Sequence, residues 1–277
     1  MTGREQMTGR ERIAGREQAA GRERASERRR VAGQRQAAER GVVMTDPKKQ
    51  DYFYNEAMKT LRTNIQFAGR DIKTVLVTSC FPNEGKSDVT FQLAREIGNM
   101  GKRVLFIDAD IRKSNFLSRY QVRRGTCGLS QYLSGQRERE DICFSTNFEN
   151  VDIIFAGTMA PNPSELLEDK SFRDLLAEKR ERYDYILIDT PPVGSLIDAA
   201  IIAKFCDGAI LVIESERVSY RMAQRAKEQI ELTGCHVIGA VLNKVDMAKE
   251  RYYGKYYGKY GRYGKYGKYY GYYTSEK

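Results

Sequence analysis

From residue 51 onward, short apolar runs alternate with stretches of helical periodicity. The segment DYFYNEAMKTLRTNIQF puts Phe53, Ala57, Leu61 and Ile65 four apart and predicts a helix with one buried face. Apolar runs follow at 74–79 (TVLVTS), 103–108 (RVLFID), 151–157 (VDIIFAG), 185–192 (YILIDTPP), 208–214 (GAILVIE) and 236–243 (HVIGAVLN). Helical stretches lie between them: one reaching about Met100, then GLSQYL, PSELL, SFRDLLAEK, IDAAIIAKF and MAQRAKEQIEL. Strands that read as continuous apolar runs, separated by helices, imply an α/β fold whose mostly parallel sheet is covered on both faces. Ligands of such sheets bind at the carboxyl ends of the strands.

The ends of the chain follow other rules. Residues 1–42 repeat with a six-residue period, as in TGREQM and TGRERI. A hexad matches neither 3.5 nor 3.6, so an apolar stripe would wander around a helix, and the apolar content is too small to offset ordering entropy. A disordered arm is expected for residues 1–43, dispensable and upstream of a folded domain at 44–249 that opens at Met44. Residues 250–277 form a second low-complexity tail of tyrosine, glycine and basic residues, also expected to be disordered.

Charge sharpens this division. The chain carries a formal +10, yet residues 44–249 hold 29 basic and 29 acidic side chains. The excess sits in the tails: 11 basic against 6 acidic in residues 1–43, and 7 against 2 in residues 250–277. The folded part therefore offers no net attraction to a phosphate backbone, and no specific nucleic-acid partner is expected. Five scattered cysteines without a CxxC pair fit neither a structural metal nor a disulfide framework and suit a reducing compartment. No uncharged apolar run reaches the roughly 18 residues that a membrane crossing requires.

The chemistry is concentrated at strand ends. After the first strand comes SCFPNEGKSDVTFQLA, in which Gly85, Lys86 and Ser87 supply the GK[ST] ending of a Walker A loop between strand and helix. Backbone N–H groups of such a loop cradle phosphate oxygens, the lysine reaches the terminal phosphates, and the hydroxyl ligates magnesium. Pro82, Asn83, Glu84, Gly85, Lys86, Ser87 and Asp88 are the expected nucleotide contacts. Cys80 stands where the motif's first glycine belongs. VLFIDADIR ends a strand with Asp108 and Asp110, and YILIDTPP ends another with Asp189 in the manner of a Walker B carboxylate. Each Asp alone would read as a solvated loop carboxylate; three such strand ends together point to a nucleotide site.

PNEGKS, FIDADIR and LIDTPP, preceded by EAMKTLRTN and followed by a terminal tyrosine cluster, resemble bacterial tyrosine kinases of the capsular and exopolysaccharide type, over about residues 50–273. The resemblance implies a P-loop NTPase fold close to ParA and MinD, with ATP and Mg2+. It implies that Asp108 acts on the substrate phenol, that Asp110 serves the magnesium-nucleotide site, and that Ser87 and Asp189 complete the metal site beside Lys86. Asp88 departs from the family, where a hydroxyl residue usually follows Ser87. VLNKVD matches the NKxD guanine signature through Asn243, Lys244 and Asp246, a reading in which Asp246 would accept from the guanine ring. In the resembling family a strand-end Asn sits near adenine instead, so Asn243 is expected to serve ATP.

The same resemblance makes the eleven tail tyrosines, Tyr252, Tyr253, Tyr256, Tyr257, Tyr260, Tyr263, Tyr266, Tyr269, Tyr270, Tyr272 and Tyr273, phosphoacceptors modified in trans. It implies a ring of subunits joined through the stripe Glu56, Lys59 and Arg62, in which Lys59 replaces the family's first Arg. A membrane adaptor of the polysaccharide co-polymerase type would activate the kinase and hold it at the inner face of the membrane. A cognate tyrosine phosphatase and other tyrosine-bearing proteins would be further partners. Two other functions fit the same sequence. One is a ParA/MinD-like regulatory ATPase, although residues 79–84 lack the second lysine usual in that class. The other is a nucleic-acid binder whose basic aromatic tails do the work.

Overall fold

The computed structural model describes residues 41–46, 52–69, 71–122 and 127–246. Helix α1 (Tyr52–Ala68) leads into strand β1 (Thr74–Ser79), helix α2 (Lys86–Gly98) and strand β2 (Val104–Asp108). Two short helices, α3 (Phe116–Arg119) and α4 (Leu129–Leu133), precede strands β3 (Cys143–Ser145) and β4 (Val151–Ile154). Then come α5 (Pro163–Glu168), α6 (Lys170–Arg180), β5 (Tyr185–Asp189), α7 (Asp198–Ala203), β6 (Gly208–Glu214), α8 (Tyr220–Glu231) and β7 (Val237–Asn243). The seven strands form one sheet in the order β3-β4-β2-β5-β1-β6-β7. Every pairing is parallel except β3 with β4, so the expected α/β architecture is present.

Alternation along the central strands builds two cores. Leu76, Leu105, Ile107, Ile186, Ile188 and Leu211 point to the layer that contains α5, α6 and α7. Val75, Val77, Val104, Phe106, Leu187 and Ile210 point to the layer of α1 and α2. In that second layer Phe91, Phe106, Phe116 and Tyr120 pack ring against ring, with centroids 4.4 to 5.4 Å apart. Aromatic contacts of this kind add to the free energy of area burial.

Three sequence expectations shift. The buried face of α1 consists of Tyr54, Met58, Leu61 and Ile65, while Phe53 is 44% exposed and Ala57 is exposed. Residues four apart drift by about 40° per step, so the run from Phe53 spreads over about 120°, whereas 54, 58, 61 and 65 stay within about 60° and hold the narrower stripe. β4 stops at Ile154 because the carbonyls of Phe155 and Ala156 accept from Leu129 and Ser130 at the start of α4. The folded unit also begins before Met44. Val42 and Met44 are buried in the α2-side core, Val42 bridges to Thr146, and the Met44 backbone is held on both sides by the Asn147 amide, at 2.8 and 3.2 Å.

Candidate active site

The carboxyl ends of β1, β2 and β5 converge because the strands are neighbours in register. Asp108 lies opposite Asp189, and Asp189 opposite Val77. The loop at residues 80–85 leaves β1 and enters α2 at Lys86. Glu84, fully buried, folds its carboxylate back into the loop and accepts from the amides of Cys80 (2.7 Å) and Phe81 (3.0 Å). Cys80, at the missing glycine's position, is accommodated because its side chain is buried in the core, where burial pushes its thiol up to about 11. Close approach is needed instead at Gly194, where a β-carbon would come within 2.4 Å of the Cys80 carbonyl. Gly85 has φ 90° and no side chain, so the first turn of the 13-residue α2 has no side-chain cap from its N-cap residue. An uncapped N-terminal turn presents its amides to an anion.

Lys86 reaches the end of β5. Its ammonium lies 3.8 Å from Asp189 Oδ1 and donates to Ser87 Oγ at 3.4 Å. Asp189 is buried; burial raises its pKa, while Lys86 and a hydrogen bond with Ser87 oppose the rise. Its Oδ1 is buried without a hydrogen-bond partner among the described residues. A buried orphan carboxylate oxygen beside a hydroxyl and a lysine is the donor arrangement that a hydrated divalent cation would complete. Ser87, Asp189 and the nearby strand-end Asp110 therefore fit the expected magnesium site. Among the described residues no group of three or more His, Cys, Asp or Glu is suited to a metal.

Asp108 is buried at the end of β2. Its carboxylate accepts from the Ser114 hydroxyl and, at 3.2 Å, from the Asp110 amide. Burial, and then the charge of Asp189, push its pKa up to about 7, against the two hydrogen bonds. A carboxylate titrating near 7 is poised for proton transfer at neutral pH. Asp110 is partly exposed and accepts from the Lys113 amide at 3.0 Å. The loop that carries both residues is latched from behind. Arg112 grips the fully buried Asp198 with two bonds (2.5 and 2.9 Å), and Ser164 bonds to both partners (2.8 and 2.9 Å). This latch had no signature in the sequence, because its members are 34 to 86 residues apart.

The remaining expected residues divide. Pro82 and Asn83 form the exposed tip of the loop. Asp88 is buried in the first turn of α2, where its carboxylate accepts from Arg119 at 2.8 Å, with the Tyr120 hydroxyl at 3.4 Å. The added charge that marks this chain is thus balanced by an arginine of α3. Asn243, at the end of β7, donates from Nδ2 to the Glu84 carbonyl at 2.8 Å. On α1, Glu56 and Lys59 pair with each other at 2.7 Å, whereas Arg62 turns toward Glu96 of α2 at 3.7 Å. The tail tyrosines and residues 1–40 lie outside the described residues.

Comparison with known proteins bears on this site. The AAA domain family matches residues 83–234. The tyrosine-protein kinase CpsD of Streptococcus pneumoniae is 40% identical over 216 residues, covering 76% of this chain and 93% of that relative. Among solved structures, the kinase domain of the Escherichia coli tyrosine kinase ETK superposes with a TM-score of 0.67 at 30% identity, over 72% of this chain and 82% of that one. The septum site-determining protein MinD of Pyrococcus horikoshii, complexed with Mg-ADP, gives a TM-score of 0.54 at 25% identity, over 61% of this chain and 69% of that one.

Proposed function

The chain belongs to the bacterial tyrosine-protein kinases, and we propose that it transfers the γ-phosphate of ATP to tyrosines 252–273 of a neighbouring copy, in the service of capsular or exopolysaccharide synthesis. The enzyme class and nucleotide binding with a divalent cation follow from the family. ATP and Mg2+ as the ligands, the tail as acceptor and the trans arrangement belong to the proposal. The observation that carries it is geometric: the buried Asp108 carboxylate ends the strand next to β5, in register with Asp189, which lies 3.8 Å from the Lys86 ammonium.

In this reading the loop amides and the first turn of α2 hold the phosphate chain, and Lys86 neutralises charge on the group in transit. Magnesium, when bound through Ser87 with Asp110 and Asp189 nearby, supplies further neutralisation of the phosphate oxygens. Asp108 accepts the phenol proton as the tyrosine oxygen bonds to the γ-phosphorus and the bond to the bridging oxygen of ADP breaks. A phenol of pKa about 10 requires such an acceptor at neutral pH. Ser114 and the Asp110 amide keep Asp108 oriented, and the Arg112–Asp198 latch keeps its loop in place.

The tail suits the acceptor role chemically, since glycine leaves each phenol accessible and the basic residues offset the charge of an incoming nucleotide. Each phosphate adds roughly −1.5 to −2, so about three would cancel the tail's excess of five positive charges. Modification thereby switches the tail from cationic to anionic and disperses a self-associated form built on Glu56, Lys59 and Arg62. No helix among the described residues is long and apolar enough to cross a membrane; a separate membrane adaptor would recruit the kinase, and a tyrosine phosphatase would reset it. The test is a mixture of a full-length Lys86→Met chain with a wild-type chain lacking residues 250–277. Phosphotyrosine on the Lys86→Met tail supports transfer in trans; its absence, with phosphorylation of the intact wild-type chain alone, rejects it.

A further inference from the structure

Asn243, the last residue of β7, and Lys244, which follows it, both bond to the phosphate loop. Asn243 Nδ2 donates to the Glu84 carbonyl at 2.8 Å, and Lys244 Nζ donates to the Asn83 carbonyl at 2.6 Å. Lys244 is held in turn by Glu214 at the end of β6, 3.1 Å away. Asn83 and Lys244 both adopt left-handed backbone angles, φ 69° and 58°. Gly85 is part of the same fit, since a β-carbon there would come within 2.3 Å of Asn243 Nδ2.

Peptide geometry gives these bonds a consequence. In a planar trans peptide the C=O and the following N–H point in opposite directions. Pinning the Asn83 carbonyl outward therefore directs the Glu84 amide inward, and pinning the Glu84 carbonyl does the same for the Gly85 amide. The Glu84 carboxylate holds the Cys80 and Phe81 amides with one oxygen and, at 3.5 Å, accepts from the Glu214 amide with the other. The side chains of Glu84, Asn243 and Lys244 thus fix the same short loop.

We propose that Asn243 and Lys244 are positioning residues of the phosphate loop: they govern its affinity for a phosphate chain by fixing two successive peptide planes, independently of any purine base. The guanine-like NKVD signature is then accounted for by loop bracing, and neither side chain discriminates ATP from GTP. This inference rests on the reading of the loop as a nucleotide site.

The test measures binding of Mg·ATP, Mg·GTP and inorganic tripolyphosphate to the full-length protein by calorimetry, for wild type and for Asn243→Ala, Lys244→Ala and Lys244→Arg. Lys244 is half exposed, so its variants keep the fold. Loss of one hydrogen bond to a loop carbonyl is expected to weaken all three ligands by a common factor of about tenfold. Lys244→Arg should recover most of that loss, and nucleotide-free melting temperatures should stay near wild type. Weakening confined to one purine nucleotide, with tripolyphosphate binding unchanged, would overturn the proposal, as would a loss that merely follows a lowered melting temperature. If wild type binds neither ATP nor tripolyphosphate, the nucleotide reading itself falls, an outcome distinct from any difference among variants.

Discussion

Asp108 and Asp189 end adjacent parallel strands at the same register position, both buried. Two carboxylates placed this way cannot both ionise cheaply, and the protein divides them by their neighbours. Asp189 has the Lys86 ammonium at 3.8 Å, whereas the donors to Asp108 among the described residues, Ser114 and a backbone amide, are neutral. Asp189 is the member favoured to carry charge, and Asp108 is left near 7.

This division predicts a pH profile. With Asp108 as proton acceptor, kcat/KM for tail phosphorylation should rise about tenfold per pH unit below 7 and level off above it. Asp108→Asn should remove this limb and lower kcat at least about a hundredfold. The stability effect has the opposite sense. Because the folded pKa is raised above its ordinary 3.8, stability falls as pH climbs from about 4 to about 7. Asp108→Asn should therefore melt several degrees higher than wild type at pH 8, as checked by calorimetry.

Lys86→Met should abolish nucleotide binding and also destabilise the protein. It leaves the Asp189 carboxylate buried without its cation, so the Asp189 pKa should rise further and the unfolding free energy drop by about 1–3 kcal/mol at pH 8, with less loss at pH 5. Denaturant melts at the two pH values check this.

Asp88 should matter for stability and little for nucleotide. Its carboxylate is engaged by Arg119 and sits beside the Tyr120 hydroxyl. Asp88→Ala should cost about 1–3 kcal/mol in a denaturant melt, while the dissociation constant for Mg·ATP changes less than about threefold, below 1 kcal/mol.

Arg112→Ala leaves the buried Asp198 carboxylate with Ser164 as its remaining partner among the bonds described. The expected cost is about 2–4 kcal/mol. Arg112→Lys, a point charge in place of a two-pronged donor, should recover only part of it. Because the latch holds the loop of Asp108 and Asp110, kcat should fall more than the affinity for ATP, a separation that single-turnover kinetics resolves.

Removing residues 1–46 should lower the melting temperature more than removing residues 1–40. The six added residues take Val42 and Met44 out of the core, together with the pairing of Asp46 with Arg95 and Gln92.

The sequence was most informative where one physical requirement acts alone. TVLVTS is buried on both faces and reads as β1 without ambiguity; Asp108 and Asp189 end their strands, and Lys86 and Ser87 open α2. It was least informative where the requirement is a distant partner. Cys143–Ser145 forms a strand only because β4 offers an antiparallel edge, and three residues carry no usable periodicity. The roles of Arg112, of Arg119 against Asp88, and of Lys244 against Asn83 depend on contacts across 31 to 161 residues. Phe53 and Ala57 looked buried because a step of four resembles helical periodicity over one turn but drifts over three.

The central claim is phosphoryl transfer to tyrosine, and intact-mass analysis of the purified full-length protein tests it most directly. The protein would be incubated with Mg·ATP, with and without the cytoplasmic segment of a candidate membrane adaptor, beside Lys86→Met and a chain lacking residues 250–277. The account predicts successive additions of phosphate that map to tyrosines 252–273 and disappear in both variants. ATP turnover without phosphotyrosine, even with the adaptor present, would contradict it and leave a regulatory ATPase.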